Sequence, residues 1–195
     1  MAEACGGGPG DGAERWFLDA CVLYPQLMRG VLLSAARAGL FRPFWSMRVL
    51  EEWRIAAARS GGMAAEAAVR AAAGEMAAAF PGAAVTPDAA LEAALHLPDP
   101  ADAHVAAGAA AAGALVVTLN IRDFPVRRLA AHGIAAEHAD SALWRLHGTA
   151  PAALDAAVAD AVGALEPGRA RVDGVRGALK RAGLPRLAKA LAARP

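Results

Sequence analysis

Residues 97–125 read LPDPADAHVAAGAAAAGALVVTLNIRDFP. Acids stand at Asp99 and Asp102, an Ala-rich segment follows, and the apolar run Ala114 to Leu119 stops on Asn120-Ile-Arg-Asp123-Phe-Pro125. An Asp followed by a Pro is the pattern of an N-cap and a first helical residue. The apolar run, bounded by polar turn residues, has the pattern of a fully buried strand. A helix over about residues 100–113 feeding a strand over about 114–119 is therefore expected. In a parallel sheet, such a unit brings the start of the helix and the end of the strand to the same edge.

Upstream, Trp16-Phe-Leu18 is a short apolar run that ends on Asp19. It predicts a buried strand, then a turn, then a helix with Pro25 in its first turn and Gly39 at its end. Leu40 to Trp45 reads as a second strand, with Ser46 as N-cap of a helix over Met47 to Arg59. Gly61-Gly62 breaks the chain, and a long helix over Met63 to Phe80 stops at Pro81-Gly82. Ala83 to Thr86 reads as a weak third strand, and Pro87 to Leu97 as a short helix or turn with an extended lead-in. Downstream, a helix over Pro125 to His132 closes at Gly133, a short last strand covers Ile134 to Ala136, and helices cover Asp140 to Leu146 and Pro151 to Leu165. Alternating short strands and amphipathic helices predict an α/β domain with a parallel sheet. The alternation fades near residue 147. The chain thus divides into a disordered leader (1–15), an α/β domain (16–147) and an all-helical C-terminal extension (148–195).

A chain of 195 residues with net charge +1 is long enough for one well-packed domain, and its total charge favours no partner. The distribution of charge says more. From 167 to 195 there are eight Lys and Arg against the single acid Asp173, so the rest of the chain is net acidic. No long apolar run is free of charge and Gly, which predicts no transmembrane helix, and the first residues lack the basic start and apolar stretch of a signal peptide. Cys5 and Cys21 cannot form a disulfide framework and are expected to be free thiols in a reducing cytoplasm.

The acids carry the chemistry. Ligands of open parallel α/β sheets bind outside the carboxyl ends of the strands. Asp19 directly follows one strand, where it is either a turn carboxylate or a group that is paired or metal-bound. Glu51 and Glu52 lie on a helix whose buried face is Val49, Leu50, Trp53, Ala56 and Ala57. Glu52 flanks that face and Glu51 points away, so Glu52 is the candidate. Asp99 fits a helix cap. Asp102 shares a face with Val105, Ala106 and Ala109 and points inward, as a site acid or a capping-box acid. Asn120 and Asp123 follow the strongest strand, with Thr118 at its end. The five His do not cluster at zinc-ligand spacing, and no P-loop, Gly-x-Ser-x-Gly or dinucleotide fingerprint occurs in a strand-to-helix context. Carboxylates without His or Cys make a hard oxygen site suited to Mg2+ or Mn2+, whose natural chemistry is phosphodiester hydrolysis.

Four segments, Leu18-Asp19-Ala-Cys-Val-Leu23, Val49-Leu-Glu-Glu52-Trp53, Asp99-Pro-Ala-Asp102-Ala-His-Val105 and Val117-Thr-Leu-Asn120-Ile-Arg-Asp123-Phe124, together resemble the PIN domain, and within it the bacterial VapC-like toxins. The resemblance covers roughly residues 16 to 136. It implies a three-layer α/β/α sandwich around a central parallel sheet and a Mg2+- or Mn2+-dependent endoribonuclease, the toxin of a type II toxin–antitoxin pair. It also implies an antitoxin encoded by an adjacent gene, and a homodimer. Carried over by motif, Asp19, Glu52, Asp102 and Asp123 are the catalytic, metal-binding acids, and Asn120 is a nearby polar residue. Asp99 and Thr118 stand as supporting residues. Cys21 replaces an Asn common in the family, and Ala101 and Ala103 stand where relatives are often charged. The basic extension, through Arg169, Arg171, Arg176, Lys180, Arg181, Arg186 and Lys189, is a candidate for holding the RNA backbone, against a packed amphipathic helix pair built on Leu179, Leu184, Leu187 and Leu191. A non-catalytic PIN-fold module binding protein or RNA is the alternative. A phosphatase with an Asp nucleophile would want an acid where Cys21 stands.

Overall fold

The computed structural model describes residues 12–165 and 174–192. In chain order the elements are β1 (Arg15–Leu18), α1 (Ala20–Leu23), α2 (Gln26–Arg37), β2 (Arg42–Phe44), α3 (Met47–Ala79) and α4 (Ala89–Ala94). A 3-10 turn (Pro100–Asp102) leads into α5 (Ala103–Ala112) and β3 (Leu115–Thr118). A second 3-10 turn (Ile121–Asp123) precedes α6 (Val126–Ala130), β4 (Ala136–His138), α7 (Ala139–Thr149) and α8 (Pro151–Gly163). The last two helices are α9 (Gly174–Arg181) and α10 (Pro185–Ala192).

The four strands form one sheet in the order β2-β1-β3-β4, all parallel. Trp16 and Phe17 project to opposite faces of β1, as successive strand residues must, and both are fully buried. Both faces of the sheet are therefore covered, which is the condition a parallel sheet requires. Trp16 stacks on Phe41 with ring centroids 4.1 Å apart, while Phe17 packs against α5 at Gly108. Flanking helices on this parallel sheet make the α/β/α sandwich, with the helical extension added. The chain leaves β1 towards β2 on one side and returns to β3 on the other. The switch point thus lies between β1 and β3, and the crevice at their carboxyl ends is where such sheets bind ligands.

Several boundaries differ from expectation for identifiable reasons. Arg15 already belongs to β1, and residues 1–11 of the expected leader lie outside the described residues. The turn after Asp19 closes into the short helix α1. The third strand over Ala83 to Thr86 is reduced to one bridge, Trp45 to Ala84. Val85 N–H reaches Trp45 C=O, but the next donor in register would be Pro87, which has no N–H. The last strand begins at Ala136, because Ile134 N–H still closes the preceding helix onto Leu129 C=O. The glycine break holds: Gly62, with φ 65° and ψ −157°, is non-helical and kinks α3 between two helical halves.

The C-terminal helices pack on the α/β body. α8 lies along α2 and α10 along α7, and Leu154, Leu179, Leu184 and Leu187 join the same apolar core. Asp140, only 3 % exposed, ties α7 to α10 by accepting backbone N–H bonds from Arg186 (2.9 Å) and Leu187 (3.1 Å). A carboxylate at a helix N-terminus meets both orphan donors and the favourable end of the dipole. Asp140→Ala should therefore cost roughly 1–3 kcal/mol. Chemical denaturation should show a lower midpoint, and an unchanged midpoint would mean that the extension is held by its leucines alone. Among the described residues no helix is long and apolar enough to cross a membrane.

Candidate functional site

The site starts at the end of β1. Asp19 N–H donates to Val117 C=O at 3.2 Å, joining the strand end to β3 and placing its carboxylate in the switch-point crevice. The residue is only 6 % exposed. Its Oδ2 accepts from the Thr118 hydroxyl at 2.7 Å and from the Cys21 thiol at 3.0 Å. Thr118 Oγ1 in turn accepts from Asn120 N–H (3.0 Å), and Cys21 Sγ from Leu119 N–H (3.1 Å). One carboxylate oxygen thus anchors the loop after β3, while Oδ1 has no hydrogen-bond partner among the described residues.

Cys21 Sγ links the Asp19 carboxylate to the loop after β3. Burial, then the charge of Asp19, pushes its thiol up to about 12, so it remains a neutral donor to Asp19. Thr118 is fully buried for the same positioning role.

The other acids arrive from three helix starts and one loop. Glu52, in the second turn of α3, faces the crevice side: its Oε1 lies 2.9 Å from His104 Nε2 and 3.5 Å from Arg48 Nε. Glu51 turns outward to Arg54 at 2.6 Å, as the helical wheel expects. Asp99 accepts from Ala101 N–H at 2.9 Å and is a helix cap. Asp102, at the junction of the 3-10 turn and α5, makes no capping bond. Burial raises its pKa to about 6, with further contributions from the charges of Asp19, Asp99, Asp123 and Glu52. Asp102 thus lies within range of the charges of all four acids, of which Glu52 is paired with Arg48. Asp123 is half-exposed at the end of the second 3-10 turn, and the Asn120 side chain is exposed without a capping bond.

His104 is the site feature that spacing rules miss. It is 1 % exposed, and although Nε2 approaches Glu52 closely, neither ring nitrogen has an aligned hydrogen-bond partner. Its signal in the sequence was its place two residues after Asp102, on the inward face with Val105. Asp140 was read only as a helix start, because its partner helix is remote in sequence.

The donors fit one class of cation. They are carboxylates at the carboxyl edge of the sheet, the charges of four of them raise the pKa of Asp102, and a buried imidazole beside Glu52 has unspent hydrogen-bonding capacity. Among the described residues no three His, Cys, Asp or Glu side chains stand close enough to cage an ion. Carboxylate oxygens are the donors that hard divalent cations take, and such ions keep several of their waters.

The basic extension is placed differently. Arg176, Lys180, Arg181, Arg186 and Lys189 are exposed on α9 and α10, over a buried face of Leu179, Leu184 and Leu187 with Leu191 half-buried. Arg186 donates to Ser141 Oγ at 3.0 Å. Arg169 and Arg171 lie outside the described residues.

The family model of the PIN domain matches residues 15–122, just over half of the chain. The match takes in Asp19, Glu52, Asp99, Asp102, Thr118 and Asn120 and ends one residue before Asp123. No curated protein and no solved structure matches the chain.

Proposed function

Because the chain belongs to the PIN domain family, whose fold is of nuclease type and whose nucleases generally use divalent metals, we propose that it is a Mg2+- or Mn2+-dependent endoribonuclease. The observation that carries this reading is that Asp102, half-buried at the switch point, lies within range of the charges of Asp19, Asp99, Asp123 and Glu52.

In this reading Asp19, Glu52, Asp102 and Asp123 hold the ion, and Asp99 shapes the helix that presents Asp102. The ion supplies positive charge to offset the phosphodiester and lowers the pKa of water at neutral pH. Asp19 is kept in one orientation by the Thr118 hydroxyl and the Cys21 thiol, so that Oδ1 faces the crevice. His104 lies against Glu52 and limits its swing. The Asn120 amide, exposed at the rim, is free to meet a ribose or phosphate oxygen.

The narrower reading is a VapC-like toxin of the cytoplasm, restrained by an antitoxin from an adjacent gene and able to form a homodimer. It rests on the four motifs and their order. A short neighbouring reading frame with a DNA-binding pattern would support it, and co-purification would test the pairing.

A non-catalytic binding module is the second reading, and the absence of a preassembled ligand cage among the described residues is the observation that favours it. Purified protein incubated with single-stranded RNA separates the two. The nuclease reading expects cleavage with Mn2+ or Mg2+ and none with EDTA. Cleavage that is unaffected by EDTA, or absent with every divalent ion, contradicts it.

A further inference from the structure

We propose that the groove along the bend of α3 binds the single-stranded RNA that flanks the scissile phosphodiester. This rests on the nuclease reading and gives that site its substrate track.

Two cavities of about 610 and 650 Å³ adjoin at Tyr24, Pro25 and Trp53, which line both, and together they make the groove. The first opens between Cys21, Glu52 and Leu119, at the edge of the acid cluster. The second continues beneath the later half of α3, past Ala65 and Val69. The backbone at Gly62, with φ 65°, bends α3 so that its two halves form different walls. Each cavity is of a size that takes a nucleotide-sized ligand.

Charge selects the occupant. Apart from Glu52 at the mouth, the charged residues lining the groove are Arg59 and Arg29. The other arginines of α3 are neutralised: Arg48 lies 2.7 Å from Glu92, and Arg54 and Arg70 each lie 2.5 Å from Glu66. Arg59 is exposed and has no carboxylate partner among the described residues. Arg29 is half-buried over the Trp53 ring at 4.7 Å, and its guanidinium donates to Leu23 C=O at 2.5 Å rather than to an acid. Two guanidinium groups without a carboxylate partner among the described residues thus stand along the groove. Tyr24, 44 % exposed, stands on the shared rim with its hydroxyl donating to Ser60 Oγ at 2.8 Å. A flat aromatic beside unpaired arginines offers what an unpaired strand needs: a stacking surface for a base and cations for the phosphates. A duplex keeps its bases stacked within itself and gains nothing from Tyr24. The groove starts at the acid cluster, and a strand cut there must run on past Glu52.

The test is fluorescence anisotropy of a labelled 12-nucleotide single-stranded RNA on the full chain in EDTA, paired with cleavage assays in Mn2+. Arg59→Glu should weaken binding by about tenfold or more at low salt and flatten the salt dependence by roughly one phosphate contact. Tyr24→Ala should weaken it by about fivefold or more, since a stacked base is lost. Arg59→Lys should keep most of the affinity, and Arg15→Glu, at the amino end of β1 and so opposite to Asp19, should leave it unchanged; Lys180→Glu on α9 tests the extension separately. Wild-type affinity in both Arg59→Glu and Tyr24→Ala overturns the groove. So does a loss confined to Lys180→Glu, which would put the RNA on the extension. No RNA binding by the wild type also overturns it, and leaves the groove to a protein partner. If the wild type binds as described but never cleaves, the groove stands and the catalytic reading fails. If it cleaves and Arg59→Glu cleaves equally well, the catalytic reading stands and the groove fails.

Discussion

Asp102→Asn should abolish metal-dependent RNA cleavage and, without metal, make the protein melt at a higher temperature than the wild type. The loss of activity should be roughly 10³-fold, the scale for removing one preorganised charged group from a catalytic site. The gain in stability follows from the surroundings of Asp102. Burial and four neighbouring carboxylates raise its pKa to about 6 from an ordinary 3.8, so the native state holds this proton more tightly than the unfolded chain does. Native stability therefore falls as pH rises from about 4 to about 6, and the full penalty is present above that window. Asn carries no charge at any pH. The advantage of the variant should be absent near pH 4, grow through the window and be complete at pH 7. Saturating Mn2+ should reverse the order, because a bound ion stabilises only the chain that binds it. Thermal melts at pH 4 and pH 7, with EDTA and with Mn2+, read all four values. A variant less stable than wild type at pH 7 in EDTA would mean that Asp102 is a structural cap.

Gly108→Ala should destabilise the fold by about 1–3 kcal/mol, although it places a better helix former in α5. A Cβ at Gly108 would lie 2.5 Å from Phe17 Cε2 and 2.6 Å from Cζ. Phe17 cannot withdraw, since it is fully buried on the central strand and held in register with Phe44 on one side and Val116 on the other. Either α5 lifts from the sheet or β1 shifts, and β1 carries Asp19 two residues on. The melting temperature should drop by about 2–12 °C, the scale for a domain of this size, and activity should fall with it. Gly74→Ala is the matched control. Its Cβ would meet nothing within 4 Å, and it should be neutral or stabilising by up to about 1 kcal/mol. Equal effects of the two changes would rule out the close packing of α5 on β1.

Much of this was legible because local rules and tertiary structure agree. The Asp99-Pro100 cap, the Ser46 cap and the break at Gly61-Gly62 each depend on a few adjacent residues, and each is found where those residues place it. The direction of Glu52 against Glu51 followed from helical period alone. What was illegible depends on residues far apart in sequence. The bond from Thr118 to Asp19 spans 99 positions, and Cys21 lies 98 positions from Leu119. Asp140 looked like one more helix-start acid, but its partners are 46 and 47 residues later. The expected strand at Ala83 to Thr86 failed because Pro87 has no donor, a rule that applies only once β2 is known to be its neighbour. His104 had no ligand-spaced partner, so only its burial beside Glu52 marks it.

Mn2+ binding to the metal-free protein, followed by electron paramagnetic resonance at pH 7, tests the central claim most directly. Wild type should remove free Mn2+ signal in a saturable way, and Asp19→Asn and Asp102→Asn should each weaken that binding at least tenfold, while Asp99→Asn, which alters a cap, should not. Saturable binding that is equal in wild type, Asp19→Asn and Asp102→Asn, or no binding at millimolar Mn2+, would contradict the carboxylate metal site and with it the proposed chemistry.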